Sequence, residues 1–157
     1  NFHQDLISNM NGFHFLGMGG VLDSKSDELQ IIAEVKNKHN TTKGNHNIAV
    51  YDDILNMISR DEYSDYVGYY VKILTKKRFN KCFTPPDNRT KKRRAVNEQI
   101  REIDGKTFYS LVTGDEDAMY DLYKAIPVIL SEILKNESCR KIMDDDMYEE
   151  FFRAAFR

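Results

Sequence analysis

The strongest apolar run in the chain is Ile31-Ile32-Ala33-Glu34-Val35-Lys36, in which an acid and a base two positions apart interrupt aliphatic residues. A run this short and this rich in β-branched residues predicts a buried strand. In a strand, residues two apart share a face, so Glu34 and Lys36 point the same way. An ionised group on such a face lowers stability unless something there uses it. Upstream, the segment from Asn11 to Gly20 contains four glycines and predicts a loop. Asp27 to Gln30 then predicts a reversal, giving a hairpin in which residue numbers summing to about 57 face each other. That pairing sets Asp23 opposite or diagonal to Glu34.

The rest of the pattern predicts helices and strands in alternation. Residues 2 to 10 carry an apolar stripe of Phe2, Leu6, Ile7 and Met10 and predict a short helix. Ile48, Tyr51, Ile54, Leu55 and Ile58 recur at helical spacing through about Ser59, with Asn45 or Asn47 as the cap. Tyr66 to Thr75, aromatic and β-branched, predicts a strand, and Glu98 to Ile103 another. Asp104-Gly105-Lys106 predicts a strand-to-helix turn, followed by a helix to Thr113 with Phe108, Leu111 and Val112 inward. Glu116 to Lys135 predicts a long helix kinked or broken at Pro127. Met143 to Phe156 predicts a terminal helix whose acids favour its N-terminal end. The sum is an α/β domain: a small mixed central sheet flanked by helices.

At 157 residues the chain has room for one substantial core, and we expect a single domain over residues 1–157. It begins with Asn1, and His3 to Ile7 read as the middle of a helix, so a fragment lacking an N-terminal helical region is expected. Cys82 and Cys139 lie far apart with no His at zinc-ligand spacing, which points to reduced thiols. No apolar run reaches membrane-span length and no signal peptide is visible, so the cytoplasm is the expected compartment. The net charge of −2 averages two unlike populations. Between Lys76 and Arg94 lie nine Lys or Arg and a single acid, Asp87, the local concentration that a phosphate-contacting edge requires. Asn37 to His46 has hardly an apolar residue and is rich in Asn, Lys and Thr, which suit base edges and phosphates.

Two carboxylates meeting at the open end of a hairpin repel one another without a cation. Mg²⁺ takes one or two protein carboxylates and keeps its waters and substrate phosphate oxygens. Lys36 beside them would place a point charge on the attacking water or the phosphate. With ten Glu and fourteen Lys in the chain, one Glu-x-Lys is expected by chance, and Asp23-Ser24-Lys25 and Asp104-Gly105-Lys106 offer similar strings. On the residues alone, a metal-dependent nuclease site and a solvated strand end both stand. The same holds for the polar segment and the basic run, each either a nucleic-acid contact or a solvated loop.

Asp23, ten intervening residues and Glu34-Val35-Lys36 resemble the PD-(D/E)xK nuclease signature, with Leu22 standing where the signature has Pro. More specifically, Ala-Glu-Val-Lys-Asn-Lys-His-Asn-Thr-Thr-Lys-Gly-Asn-His at residues 33–46 is similar to the type II restriction endonucleases that cut GGNCC and GGWCC sites. Phe83 to Arg89 and Ile103 to Tyr109 are similar as well, and the resemblance covers approximately residues 1 to 130. It implies a PD-(D/E)xK restriction-endonuclease-like fold and Mg²⁺-dependent hydrolysis of phosphodiesters in double-stranded DNA at a GGNCC-like site, with Mn²⁺ as a substitute ion. Asp23 and Glu34 would hold the metal, and Asp23, Glu34 and Lys36 would be catalytic. In resembling nucleases a helix before the first strand carries an acidic or amide residue toward the metal, which here is Gln4. The expected DNA-binding residues are Asn37, Lys38, His39, Asn40, Thr41, Thr42 and Lys43, with Lys76, Lys77, Arg78, Lys81, Arg89, Lys91, Lys92, Arg93 and Arg94 from the basic run. A site that reads the same on both strands is matched by a homodimer. A cognate DNA methyltransferase would act in the same restriction-modification system. The alternatives are another PD-(D/E)xK nuclease, for repair or a DNA structure, and a DNA-binding module without catalysis.

Overall fold

The computed structural model of the protein describes residues 2–16, 22–38, 46–134 and 145–156. In chain order its elements are α1 (Phe2–Ser8), β1 (His14–Phe15), β2 (Ser24–Ser26), β3 (Ile31–Lys38), α2 (His46–Ile58), a 3-10 turn (Asp61–Tyr63), β4 (Val67–Leu74), β5 (Asn80–Cys82), β6 (Ile100–Asp104), α3 (Gly105–Thr113), α4 (Ala118–Leu134) and α5 (Asp145–Phe156). The strands form one mixed sheet in the order β1-β2-β3-β4-β6-β5. β3, β4 and β6 run parallel at its centre, while the outer pairings are antiparallel. Parallel neighbours need a crossover, and α2 lies in the one between β3 and β4.

Alternation along the central strands divides the core between the two faces of the sheet. Ile31, Ala33 and Val35 of β3, with Tyr69, Val71 and Ile73 of β4, pack on one side with residues of α1, α3, α4 and α5. Ile32 of β3 and Tyr70 of β4 pack on the other against Val50, Tyr51, Ile54 and Ile58 of α2. Contact on that second side is close because β4 carries Gly68, where an added Cβ would meet Ile54 Cγ2 at 2.1 Å. Glu34 and Lys36 share the parity of Ile32 and so belong to the face that α2 covers.

Sequence and structure differ at several points. The expected loop before the hairpin contains β1, and the basic run contains β5, a three-residue edge strand paired to β6. Both are short and mostly exposed, so cross-strand bonding forms them and no hydrophobic pattern announces them. Pro127 lies inside α4 without ending it; Met119 and Tyr123 pack into the core one to two turns earlier and hold the helix in place across the missing hydrogen bond. α2 begins at His46, so Asn47 is in its first turn and is not the cap, and Asn45 lies outside the described residues.

Candidate active site

The hairpin register is the one the numbering implied. Ser24 pairs with Ala33, Lys25 with Ile32 and Ser26 with Ile31, and the Asp23 amide donates to the Ala33 carbonyl at 3.0 Å. Gln30 makes the reversal with a positive φ of 52°. Continuing this register by one residue sets Asp23 across from Glu34.

Asp23 is held from two elements. Val35 N of β3 donates to its Oδ2 at 2.7 Å. Gln4 Nε2 of α1 lies 2.7 Å from both carboxylate oxygens and 3.2 Å from the Val35 carbonyl. Three oxygens thus converge on one donor, at the point where α1 crosses the end of the hairpin.

Glu34 is only 2% exposed. Lys36 Nζ approaches its Oε1 at 2.5 Å, and its Oε2 is buried with no hydrogen-bond partner among the described residues. Burial pushes its carboxyl up to about 7; the Asp23 carboxylate pushes the same way, against the pull of Lys36. The two carboxylates and the orphaned oxygen fit a hard divalent cation, which uses one or two protein carboxylates and fills its other positions with water and phosphate oxygens. Among the described residues no group of three or more His, Cys, Asp or Glu gathers as an all-protein metal cage.

The polar surface continues beyond the three expected residues. His46 at the start of α2 is kept below the ordinary histidine range by burial and by the Lys36 charge, against Asp53. On the next strand Lys72 is the register partner of Lys36, and Tyr70 is that of Glu34. Burial, with Glu34 on one side and Glu102 on the other, raises the Tyr70 hydroxyl to about 12, so it stays protonated. His46, Lys72 and Glu102 were not singled out from sequence. For Lys72 the signal existed: like Lys36, it is a lone charge interrupting an apolar strand.

The expected DNA-binding residues are dispersed. Asn37 and Lys38 end β3, and residues 39–43 lie outside the described residues. Lys76, Lys77 and Arg78 are exposed after β4, with Arg78 donating to the Glu116 carbonyl at 3.3 Å. Lys81 pairs with Glu102 at 3.2 Å. Arg89, Lys91, Lys92 and Arg93 are exposed on a loop that Asp87 shapes by accepting from the Arg89 and Thr90 amides, both at 2.8 Å. Arg94 differs from its neighbours: its Nε and Nη2 make a two-pronged pair with Asp52 of α2, at 2.8 and 2.6 Å, and Tyr51 donates to the Ala95 carbonyl at 2.8 Å. Arg94 thus pins the loop to α2. Cys82 is an unbridged, half-buried thiol, and Cys139 lies outside the described residues.

A six-stranded mixed sheet flanked by helices, with two acids and a lysine where its central hairpin opens, defines a restriction-endonuclease-like α/β protein. Comparison with known proteins narrows this: residues 1–135 match the family described as Eco47II restriction endonuclease, and the chain belongs to that family. It is 36% identical over 163 residues to the type II restriction enzyme Eco47II of Escherichia coli, covering 99% of this chain and 68% of that protein. It is 30% identical over 159 residues to the type II restriction enzyme Sau96I of Staphylococcus aureus, covering 98% of this chain and 60% of that protein. The chain thus spans about two thirds of the length of these relatives. No solved structure matches significantly.

Proposed function

We propose that this chain forms a single nuclease domain of a type II restriction endonuclease that hydrolyses phosphodiester bonds in double-stranded DNA at a GGNCC-like site. The observation that carries the proposal is the juxtaposition of Asp23 and Glu34 by hairpin register, with an unpartnered buried Glu34 oxygen and Lys36 beside it. Asp23 and Glu34 would hold Mg²⁺, or Mn²⁺ in its place. That ion supplies Lewis-acid polarisation of the phosphate and a water acidic enough to attack near neutral pH.

The side chains have separable tasks. Gln4 and the Val35 amide fix the Asp23 carboxylate before any ligand arrives, which lowers the reorganisation required on binding. Lys36 is 30% exposed, so its ammonium can turn from Glu34 toward the water or the phosphate oxygens, where charge grows in the transition state. Asn37 to Lys43 follow β3 directly and would reach into a groove, while the Lys76 to Arg93 cations would contact phosphates. Two copies related by a two-fold axis would cut the two strands. The reading places the enzyme in the cytoplasm with its DNA, where a cognate methyltransferase would protect host sites. Among the described residues no helix is long and apolar enough to cross a membrane.

Incubating the protein with a plasmid of known sequence, with Mg²⁺ and separately with a chelator, tests the proposal. Discrete fragments that appear only with Mg²⁺ and map to GGNCC-like sites are expected. A metal-dependent smear would indicate a nuclease without a fixed site, and binding without cleavage an inactive DNA-binding module.

A further inference from the structure

A second charged recess lies next to the hairpin, on the same face of the sheet. Lys72 is in register with Lys36 on the neighbouring parallel strand, so their backbones are about 4.8 Å apart. Glu102, one strand further, is the register partner of Tyr70. Its Oε2 accepts from Lys72 Nζ at 2.6 Å and its Oε1 pairs with Lys81 Nζ at 3.2 Å. Burial works against the ionised Glu102 carboxylate, yet these two ammonium groups keep it below the ordinary range. Lys72 also lies over the Tyr70 and Phe83 rings, 5.1 and 5.8 Å from their centroids. Lys72, Lys81, Phe83 and Glu102 line a cavity of about 290 Å³ together with Asn47 and Arg93.

The charge is unbalanced: three cations, Lys72, Lys81 and Arg93, share the cavity wall with a single carboxylate, Glu102, which pairs with the two lysines, while Arg93 donates to the Thr84 carbonyl at 2.8 Å. Had the Lys72–Glu102 pair only to join β4 to β6, apolar residues of similar size would serve as well or better. A lysine ammonium has three N–H donors, and Glu102 uses one of those on Lys72. Asn47, at the start of α2, has its Oδ1 buried without a partner among the described residues. Because an amide can be flipped without changing its shape, that end can turn either an acceptor or a donor to a ligand. A group carrying one negative charge and two free oxygens suits this arrangement better than a base edge, which offers no net charge to the surplus cations.

We propose that Lys72, Lys81 and Asn47 receive the backbone phosphate next to the scissile one on the same DNA strand, with Glu102 fixing the two ammonium groups. The proposal rests on the nuclease reading above and adds the register of the substrate across the sheet: scissile phosphate at β3, its neighbour at β4. Lys72 and Lys81 bind the substrate, and Glu102 is a positioning residue.

The test is a double-mutant cycle between protein and DNA. A short duplex carrying a GGNCC site is made with a neutral methylphosphonate at one position at a time around the cleaved bond. Binding is measured with Ca²⁺ for wild type, Lys72→Met and Lys81→Ala. Lys72→Met is expected to weaken binding to the unmodified duplex roughly tenfold and to reduce the log-log salt slope by about 0.9. It should make no further difference when the phosphate adjoining the scissile one is already neutral. Lys81→Ala should show the same pattern to a smaller degree, and since that side chain is 66% exposed the variant will fold even if Lys72→Met does not. Additive effects at every position, with wild type still cutting, would overturn the phosphate site alone. So would an unchanged salt slope with altered preference among base pairs, the mark of base readout. A wild-type protein that neither binds nor cuts the duplex would overturn the nuclease reading and this inference with it.

Discussion

Glu34 destabilises the metal-free protein at neutral pH. Its folded-state value of about 7 lies above the ordinary 4.5, so between these limits the folded chain holds a proton that the unfolded chain has released. Stability therefore falls as pH rises from 4.5 through 7, by up to about 3 kcal/mol. Glu34→Gln removes the penalty, so its unfolding midpoint should exceed that of wild type at pH 8 with chelator, by less at pH 5, while DNA cleavage is lost. Thermal denaturation at the two pH values checks this, and a variant less stable than wild type at pH 8 would contradict it. The geometry was legible because strand parity set Glu34 and Lys36 on one face and hairpin numbering set Asp23 across from Glu34, while the catalytic role of the three was given only by the resemblance. Lys72 stood out as a charge in an apolar strand, but its placement beside Lys36, and that of Glu102 beside Tyr70, was not legible, since register across crossovers has no local pattern to encode it. Nor was the role of Arg94, which looks identical to Arg93 in sequence and differs only because Asp52 of α2 stands beside it.

At the scale of elements, α1 is positioned by a contact between distant parts of the chain. His3 is 3% exposed; its Nδ1 is 2.8 Å from the Tyr109 hydroxyl of α3 and its Nε2 2.9 Å from the Tyr123 hydroxyl of α4. One residue on, Gln4 reaches Asp23, so the same helix joins this polar knot to the candidate site. Burial lowers His3 from 6.5 to about 4. Between those values the unfolded chain binds a proton that the folded chain does not, so this contribution rises with pH, also by up to about 3 kcal/mol. From pH 4.5 to 6.5 it opposes Glu34, and the wild-type stability profile should be nearly flat there. His3→Phe should strip away the rising part and expose the fall due to Glu34, and its orphaned Tyr109 hydroxyl should cost a further ~1–3 kcal/mol. Chemical denaturation across pH 4.5–8 measures both, and a His3→Phe profile parallel to wild type would refute the assignment. The long strands and helices were readable from their periodicity. β1 and β5 lack any pattern to read, whereas the start of α3 was readable from Asp104-Gly105-Lys106: the Asp104 side chain caps the helix by accepting from the Thr107 amide at 3.1 Å.

For the whole molecule, the net charge of −2 conceals an uneven distribution. Lys91 and Lys92 are exposed on the loop that Arg94 ties to Asp52 of α2. If they face the DNA backbone, Lys91→Ala with Lys92→Ala should weaken binding to every sequence and flatten the log-log salt slope by about 0.9 per lost contact. A slope unchanged from wild type, read by titration at several salt concentrations, would return this loop to the solvent. The central claim is that Asp23, Glu34 and Lys36 make one cation-dependent hydrolytic site on a protein that also holds DNA without cutting it. Its most direct test compares DNA binding and plasmid cleavage for wild type, Asp23→Ala and Lys36→Ala, each with Mg²⁺, with Ca²⁺ and with chelator. Asp23→Ala should lose cleavage while metal-free binding holds or improves, because a carboxylate that repels phosphate has gone. Lys36→Ala should bind DNA in Ca²⁺ as wild type does and fail to cut in Mg²⁺, the lost charge acting only as the bond breaks. Near wild-type cleavage by either variant would contradict the assignment.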